Sequence, residues 1–187
     1  MQTAPGASLS DAAPPSRRAR KGLLVVLVVV AAGVYALDQV TKALAVDRLS
    51  SGRTVPLLGD LLQLRLIRNP GAAFSFATGM TWVLTLVALV VVVVVVRSSR
   101  RLGSLSWALA LGLLLGGALG NLTDRLVREP GFGRGHVVDF IAYWHLFIGN
   151  MADIAIVGAA GLVLLLGVRG TTLDGGTARP STKGSRG

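Results

Sequence analysis

Four long apolar segments limit what this chain can become. They cover residues 22–37, with the helix able to run on to residue 46, then 81–96, 104–122 and 151–168. Each approaches the ~20 residues that cross a hydrocarbon core. Inside lipid a segment must satisfy its own backbone N–H and C=O groups, so each is predicted to be a helix. Charged residues make up only 15% of the chain and hydrophobic ones 52%. A soluble domain carries about 25% charged residues, so the deficit points to a membrane. The expected fold class is therefore an all-α membrane protein. It has four transmembrane helices and a small exported β-containing segment between the first and second. The expected organisation is a disordered N-terminus over 1–21, a transmembrane domain over 22–168 and a disordered tail over 169–187.

Several chemistries are excluded at once. The chain has no cysteine, so it forms no disulfide, no zinc–thiolate site and no cysteine nucleophile. His136 and His145 are its two histidines, and their spacing suits a metal poorly. Neither a metal nor a cofactor is expected. The net charge of +10 reads in a membrane protein as loop charge and attraction to anionic lipid, with no nucleic-acid partner.

The basic residues suggest an orientation. "RRARK" (17–21) precedes the first segment and "RSSRR" (97–101) separates the second from the third. Arg169, Arg179, Lys183 and Arg186 follow the fourth. If all four segments span, these groups lie on one side, which the positive-inside rule makes cytoplasmic. Both termini are then cytoplasmic. The first segment also has the basic and apolar regions of a cleaved leader, but no clean A-x-A site follows, so a retained helix is expected. Between the first two spans, residues 62–67 alternate apolar and polar, as in a short strand or small sheet at the membrane surface. Leu57, Leu58, Leu61 and Leu62 could enter the lipid boundary. An ordinary amphipathic loop fits the same residues.

In this topology the polar residues near the spans gather at the exported end. "DQVTK" supplies Asp38 and Lys42, four apart on one helical face. "RNPGAAFSF" supplies Asn69, and "GNLTDR" supplies Asn121, Asp124 and Arg125. Asp139 lies in the last exported loop, and Asn150 and Asp153 open the fourth helix. Each has a structural reading by itself. Asp38 and Lys42 can be an interfacial ion pair, and Asn121 and Arg125 can cap the third helix. Asn150 can be an N-cap with Asp153 at N3. Gly112, Gly116 and Gly120 recur every four residues, as a close-packing helix face does. Those readings leave unexplained why four spans bring their polar groups to one level. A carboxylate within a span costs roughly 2.5–3.5 kcal/mol on insertion scales. Two carboxylates sharing a site cannot both ionise easily, so the pair holds one proton. One acid can then deprotonate a water while the other polarises a carbonyl, which is aspartic-peptidase chemistry.

The blocks "DQVTK", "RNPGAAFSF", "GGALGNLTDR", "GHVVDF" and "NMADIAI" occur in the order found in lipoprotein signal peptidases, and the chain resembles that family from residue 38 to residue 156. The resemblance implies a four-helix aspartic peptidase of the bacterial inner membrane with its site at the outer face. It implies removal of signal peptides from prolipoproteins just before a cysteine bearing diacylglycerol. Asp139 and Asp153 would be the catalytic dyad. Asn69, Asn121, Asp124, Arg125 and Asn150 would support the site, with Asp38 and Lys42 bracing the first helix. Its partners would be lipidated prolipoproteins, membrane lipids and cyclic peptide inhibitors of the globomycin type, and the protein would be a monomer. One departure stands out: Gly149 precedes Asn150 where the family reads phenylalanine. Two other readings stay open, a membrane scaffold that has lost activity around Gly149 and a small proton-coupled carrier.

Overall fold

A computed structural model describes residues 17–71 and 81–176. The expected disorder of residues 1–16 and 177–187, and the "AAFSF" portion of the second motif, lie outside the described residues. The elements in order are α1 (Arg17–Leu49), β1 (Thr54–Leu58), β2 (Leu62–Asn69), α2 (Thr81–Ser98), α3 (Leu105–Val127), β3 (Val137–Tyr143), β4 (Phe147–Gly149) and α4 (Met151–Val168). All four helices are long and apolar enough to cross a membrane. α1 starts five residues before the apolar segment and continues three residues past Val46, so it carries "DQVTK" within its last turns. Residues 171–176 form an ordered loop tied to α3 by Gly103 N–H donating to Leu173 O (2.9 Å) and Trp107 Nε1–H donating to Thr171 O (3.0 Å).

α3 is the central helix. Half of its most apolar stretch is buried, against 11–17% for the other three. Its glycines explain how close the packing is. Side chains at Gly112 and Gly116 would press on the backbone of α1 at Leu27 and Ala31, and one at Gly117 would press on α4 at Ala152. Small residues let helix backbones approach where lipid offers no hydrophobic driving force. Gly120 departs from the packing-face reading: a Cβ there would collide with the Asp38 carboxylate. That glycine makes room for a charged group. The contacts run in register along α1 and α3, so these helices are parallel, and α4 is antiparallel to α3.

The sheet is larger than the sequence suggests. Four antiparallel strands lie in the order β1-β2-β3-β4. Only two come from the segment between the first two spans. The other two come from the region expected to be a loop, the one holding Asp139. β3 is buried along almost its whole length, so it lacks the polar/apolar alternation by which a half-exposed strand is recognised. In β2 the alternation is present: Leu62, Leu64 and Leu66 pack with Ala45, Leu49, Phe140 and Ile141 against the end of α1. A register shift between Leu64 and Ile67 bends β2 where it passes the acid-bearing strand.

Candidate active site

Lys42 organises the charged end of the bundle. It is fully buried and its ammonium group meets three acceptors: Asp38 Oδ2 at 2.8 Å, Asp124 Oδ2 at 2.9 Å and Asn121 Oδ1 at 3.0 Å. A lysine ammonium has three protons, and each has a partner here. The two aspartates are fully buried too. Asp38 Oδ1 accepts from Ala152 N–H at 3.0 Å, so α1 caps the first turn of α4. Asp124 Oδ2 accepts from Val138 N–H at 3.1 Å, and its Oδ1 accepts from Arg128 Nε at 2.6 Å. Asp124 thereby fastens the start of β3 to the end of α3. The ion pair read from "DQVTK" is part of a network joining three helices and the sheet.

That network orients the amides beside the second acid. Lysine only donates, so the carbonyl of Asn121 must face Lys42 and its NH₂ must face away. Asn121 Nδ2 donates to Asp153 Oδ1 at 2.9 Å. Asn150 is the N-cap of α4, and its Oδ1 accepts from Asp153 N–H at 3.1 Å. Asp153 Oδ2 in turn accepts from Asn150 N–H at 3.0 Å, closing a capping box. The capping reading of Asn150 is thus correct, and it is incomplete. Asn150 Nδ2 also donates to Asp139 Oδ1 at 2.6 Å and to Asn121 Oδ1 at 3.2 Å. One residue links both acids.

Asp139 is held from its other side by the sheet. Asn69 Nδ2 donates to Asp139 Oδ2 at 2.7 Å. Asn69 Oδ1 accepts from Gly71 N–H at 2.8 Å, which fixes the amide with its NH₂ toward the acid. The register pairs Asp139 with Ile67 and Val137 with Asn69, making Asn69 the diagonal neighbour of Asp139 on one face. Asp139 is only 2% exposed. Burial, reinforced by the charge of Asp153, raises its pKa to about 6, against the hydrogen bonds from Asn69 and Asn150 and the charge of Lys42. Asp153 is half-buried. It opens onto a cavity of about 240 Å³ lined by Tyr143, Phe147, Asn150, Ile154 and Val157.

The raised pKa has a measurable consequence. Folded Asp139 binds its proton more tightly than the unfolded chain does. Its contribution to stability is therefore fully present below the unfolded value of 3.8 and is lost as pH rises to about 6. The ceiling on this loss is about 3 kcal/mol. Thermal unfolding in detergent at about pH 4.5 and about pH 7.5 should show a fall for the native protein that is smaller in Asp139→Asn. Parallel curves would mean that Asp139 does not titrate in this window.

Arg125 is buried, and its guanidinium interacts with the charges of Asp139, Asp124 and Asp153. Its Nη1 has no hydrogen-bond partner among the described residues. All nine residues singled out in the sequence therefore meet at one end of the bundle. Two others were missed. Gln39 donates to Asp38 Oδ2 and to Gly120 O, and Arg128 neutralises Asp124. Arg128 sits four residues after Asp124, a spacing that could have revealed it. Gly149 has a steric role: a Cβ there would lie 2.9 Å from Asp153 Oδ2 and 3.4 Å from the Phe147 ring. Its φ is not positive, so turning the chain into α4 does not require a glycine. The departure leaves both acids and their hydrogen bonds in place.

These observations define a helical membrane protein with a two-carboxylate polar site built where three spans meet a small antiparallel sheet. Residues 30–169 match the family model for signal peptidase (SPase) II, and the chain belongs to that family. It is 53% identical over 175 residues to the lipoprotein signal peptidase of Leifsonia xyli subsp. xyli, covering 93% of this chain and 81% of that one. It is 54% identical over 168 residues to that of Rhodococcus jostii, covering 89% and 83%. With that of Mycobacterium avium it shares 49% over 176 residues, 93% of each chain. Among solved structures, a bacterial membrane enzyme determined at 1.9 Å superposes with a TM-score of 0.67 at 26% identity, over 76% of this chain and 92% of the other. A second, at 2.3 Å, gives 0.66 at 25% identity, over 78% and 89%.

Proposed function

We propose that this chain is an aspartic endopeptidase that removes signal peptides from diacylglyceryl-modified prolipoproteins, cleaving just before the lipidated cysteine. Asn150 carries the reading, since it hydrogen-bonds both Asp139 and Asp153 and holds them as one unit. Burial favours the shared proton on Asp139. The more open Asp153 then takes a proton from a water, whose oxygen adds to the scissile carbonyl carbon. Asp139 donates to the carbonyl oxygen as its negative charge develops. Collapse of the tetrahedral intermediate re-forms the C=O, returns its proton to Asp139 and breaks the C–N bond, and the leaving amine takes the proton held by Asp153. The buried Arg125 guanidinium places a positive charge beside both acids, where it offsets the negative charge of the pair.

The site faces outward and both termini are cytoplasmic in this proposal. Arg97, Arg100, Arg101 and Arg169 at the other end of the helices support that orientation. Exposed Leu57 and Leu58 at the end of β1 and Leu61, Trp144 and Leu146 on the neighbouring turns lie at one end of the sheet, joined by Trp144 N–H donating to Leu61 O at 2.9 Å. They bring the sheet to the lipid boundary, where a lipid anchor presents the scissile bond at a fixed depth. The enzyme acts as a monomer, and a globomycin-type cyclic peptide would occupy the cavity beside Asp153. Purified protein in detergent should cleave a diacylglyceryl-modified prolipoprotein and leave its unlipidated form intact. Equal cleavage of both forms would overturn the lipid requirement, and cleavage of neither by folded protein would overturn the peptidase reading.

A further inference from the structure

The basic run between α2 and α3 has a shape that loop charge alone does not require. α2 ends in a 3-10 turn, Ser99–Arg101, and Arg97, Arg100 and Arg101 are exposed around it. With Ser98 and Leu173 they line a cavity of about 410 Å³. Its wall is built: Leu173 packs on the core cluster of Leu27, Val95, Leu102, Ala108 and Leu111, and its carbonyl accepts from Gly103 N–H. Among the described residues none of the three arginines forms an ion pair. The loop's own acid, Asp174, accepts from Thr172 Oγ1. This end of α3 lies roughly 25 Å from Asn121 at the helical rise of about 1.5 Å per residue, so the cavity is separate from the acids.

Val87, Val90 and Val94 are exposed and precede Arg97 at helical spacing, so this part of the apolar surface of α2 leads to a guanidinium. A ligand matching that face has a phosphate head and long acyl chains. We propose that Arg97, Arg100 and Arg101, with Leu173 as the wall, bind the headgroup phosphate of an anionic phospholipid whose chains lie along the valine face of α2. Basic pockets beside spans hold lipid phosphates by charge-assisted hydrogen bonds. This site is independent of the peptidase reading.

Native mass spectrometry of the full chain released from mixed phosphatidylglycerol–phosphatidylcholine nanodiscs tests it. Retention of one phosphatidylglycerol is expected, with a preference over phosphatidylcholine of up to about a hundredfold, at about fivefold for each of the three arginines. The triple variant Arg97→Gln, Arg100→Gln, Arg101→Gln should lose the adduct. The triple variant Arg17→Gln, Arg18→Gln, Arg20→Gln removes the same charge from another part of the chain and should keep it. Equal loss in both variants, or equal retention of the two lipids, would overturn a site in favour of diffuse charge. A second arm uses unaltered protein: phosphatidylglycerol should slow amide exchange over 97–103 and 171–176, while phosphatidylcholine and inorganic phosphate should not. The same protection from inorganic phosphate would reduce the cavity to an oxyanion site and end the lipid proposal. No protection from phosphatidylglycerol would end it as well.

Discussion

Asp139→Asn and Asp153→Asn should each lower cleavage of a lipidated prolipoprotein by about 10²–10⁴-fold or more, the range for losing a positioned acid or base. An amide cannot carry the shared proton between water, carbonyl and leaving amine. Each substitution keeps the shape of the side chain and disturbs one hydrogen bond. Asp139 accepts from Asn69 on one oxygen and Asn150 on the other, so an asparagine there sets its NH₂ against one of those donors. Asp153 likewise accepts from Asn121 and from Asn150 N–H. A lost buried bond costs about 1–3 kcal/mol, so both variants should still insert and unfold cooperatively at a somewhat lower temperature. Kinetics and thermal unfolding, measured on the same preparations, separate lost chemistry from lost fold. Processing at the native rate by either variant would remove that acid from the mechanism.

Lys42→Met should be the most destabilising single change near the site. Methionine matches the length of the stem and supplies no charge. Asp38 and Asp124, both fully buried, would lose the cation they share. Breaking a buried ion pair from one side costs about 3–5 kcal/mol. In a chain of this size that lowers the unfolding temperature by roughly 10 °C or more. Cleavage should fall as well, since Asn121 would lose the donor that fixes its amide toward Asp153. Unfolding within a degree or two of the native temperature, measured in the same detergent, would show that water or Arg128 replaces the lysine.

The parts of the fold visible in the sequence share one property: they depend on periodicity or on local spacing. Four apolar runs became four helices because lipid leaves the backbone no other way to satisfy itself. Asn150 and Asp153 could be read as a cap because the two partners of a capping box lie only three positions apart. Asp38 and Lys42 could be paired because they are four apart on one helix. Apart from Arg128, which pairs with Asp124 four residues away, what was missed depends on contacts between distant segments. β3 looked like a loop because burial on both faces erases its alternation, and its partner β2 lies about seventy residues earlier. Gly120 looked like a packing glycine, but its neighbour is a carboxylate of α1.

The sequence by itself determined the membrane class, the four spans and the ordered motifs from Asp38 to Asp153. Apolar length and residue order are one-dimensional properties, and a one-dimensional reading suffices for them. Only the tertiary structure decided that Lys42 uses all three ammonium protons, that Asn150 joins the two acids and that Asp139 is buried enough to hold a proton to about pH 6. Desolvation and hydrogen-bond direction belong to the space between segments, and that space exists only once α1, α3, α4 and the sheet have packed together.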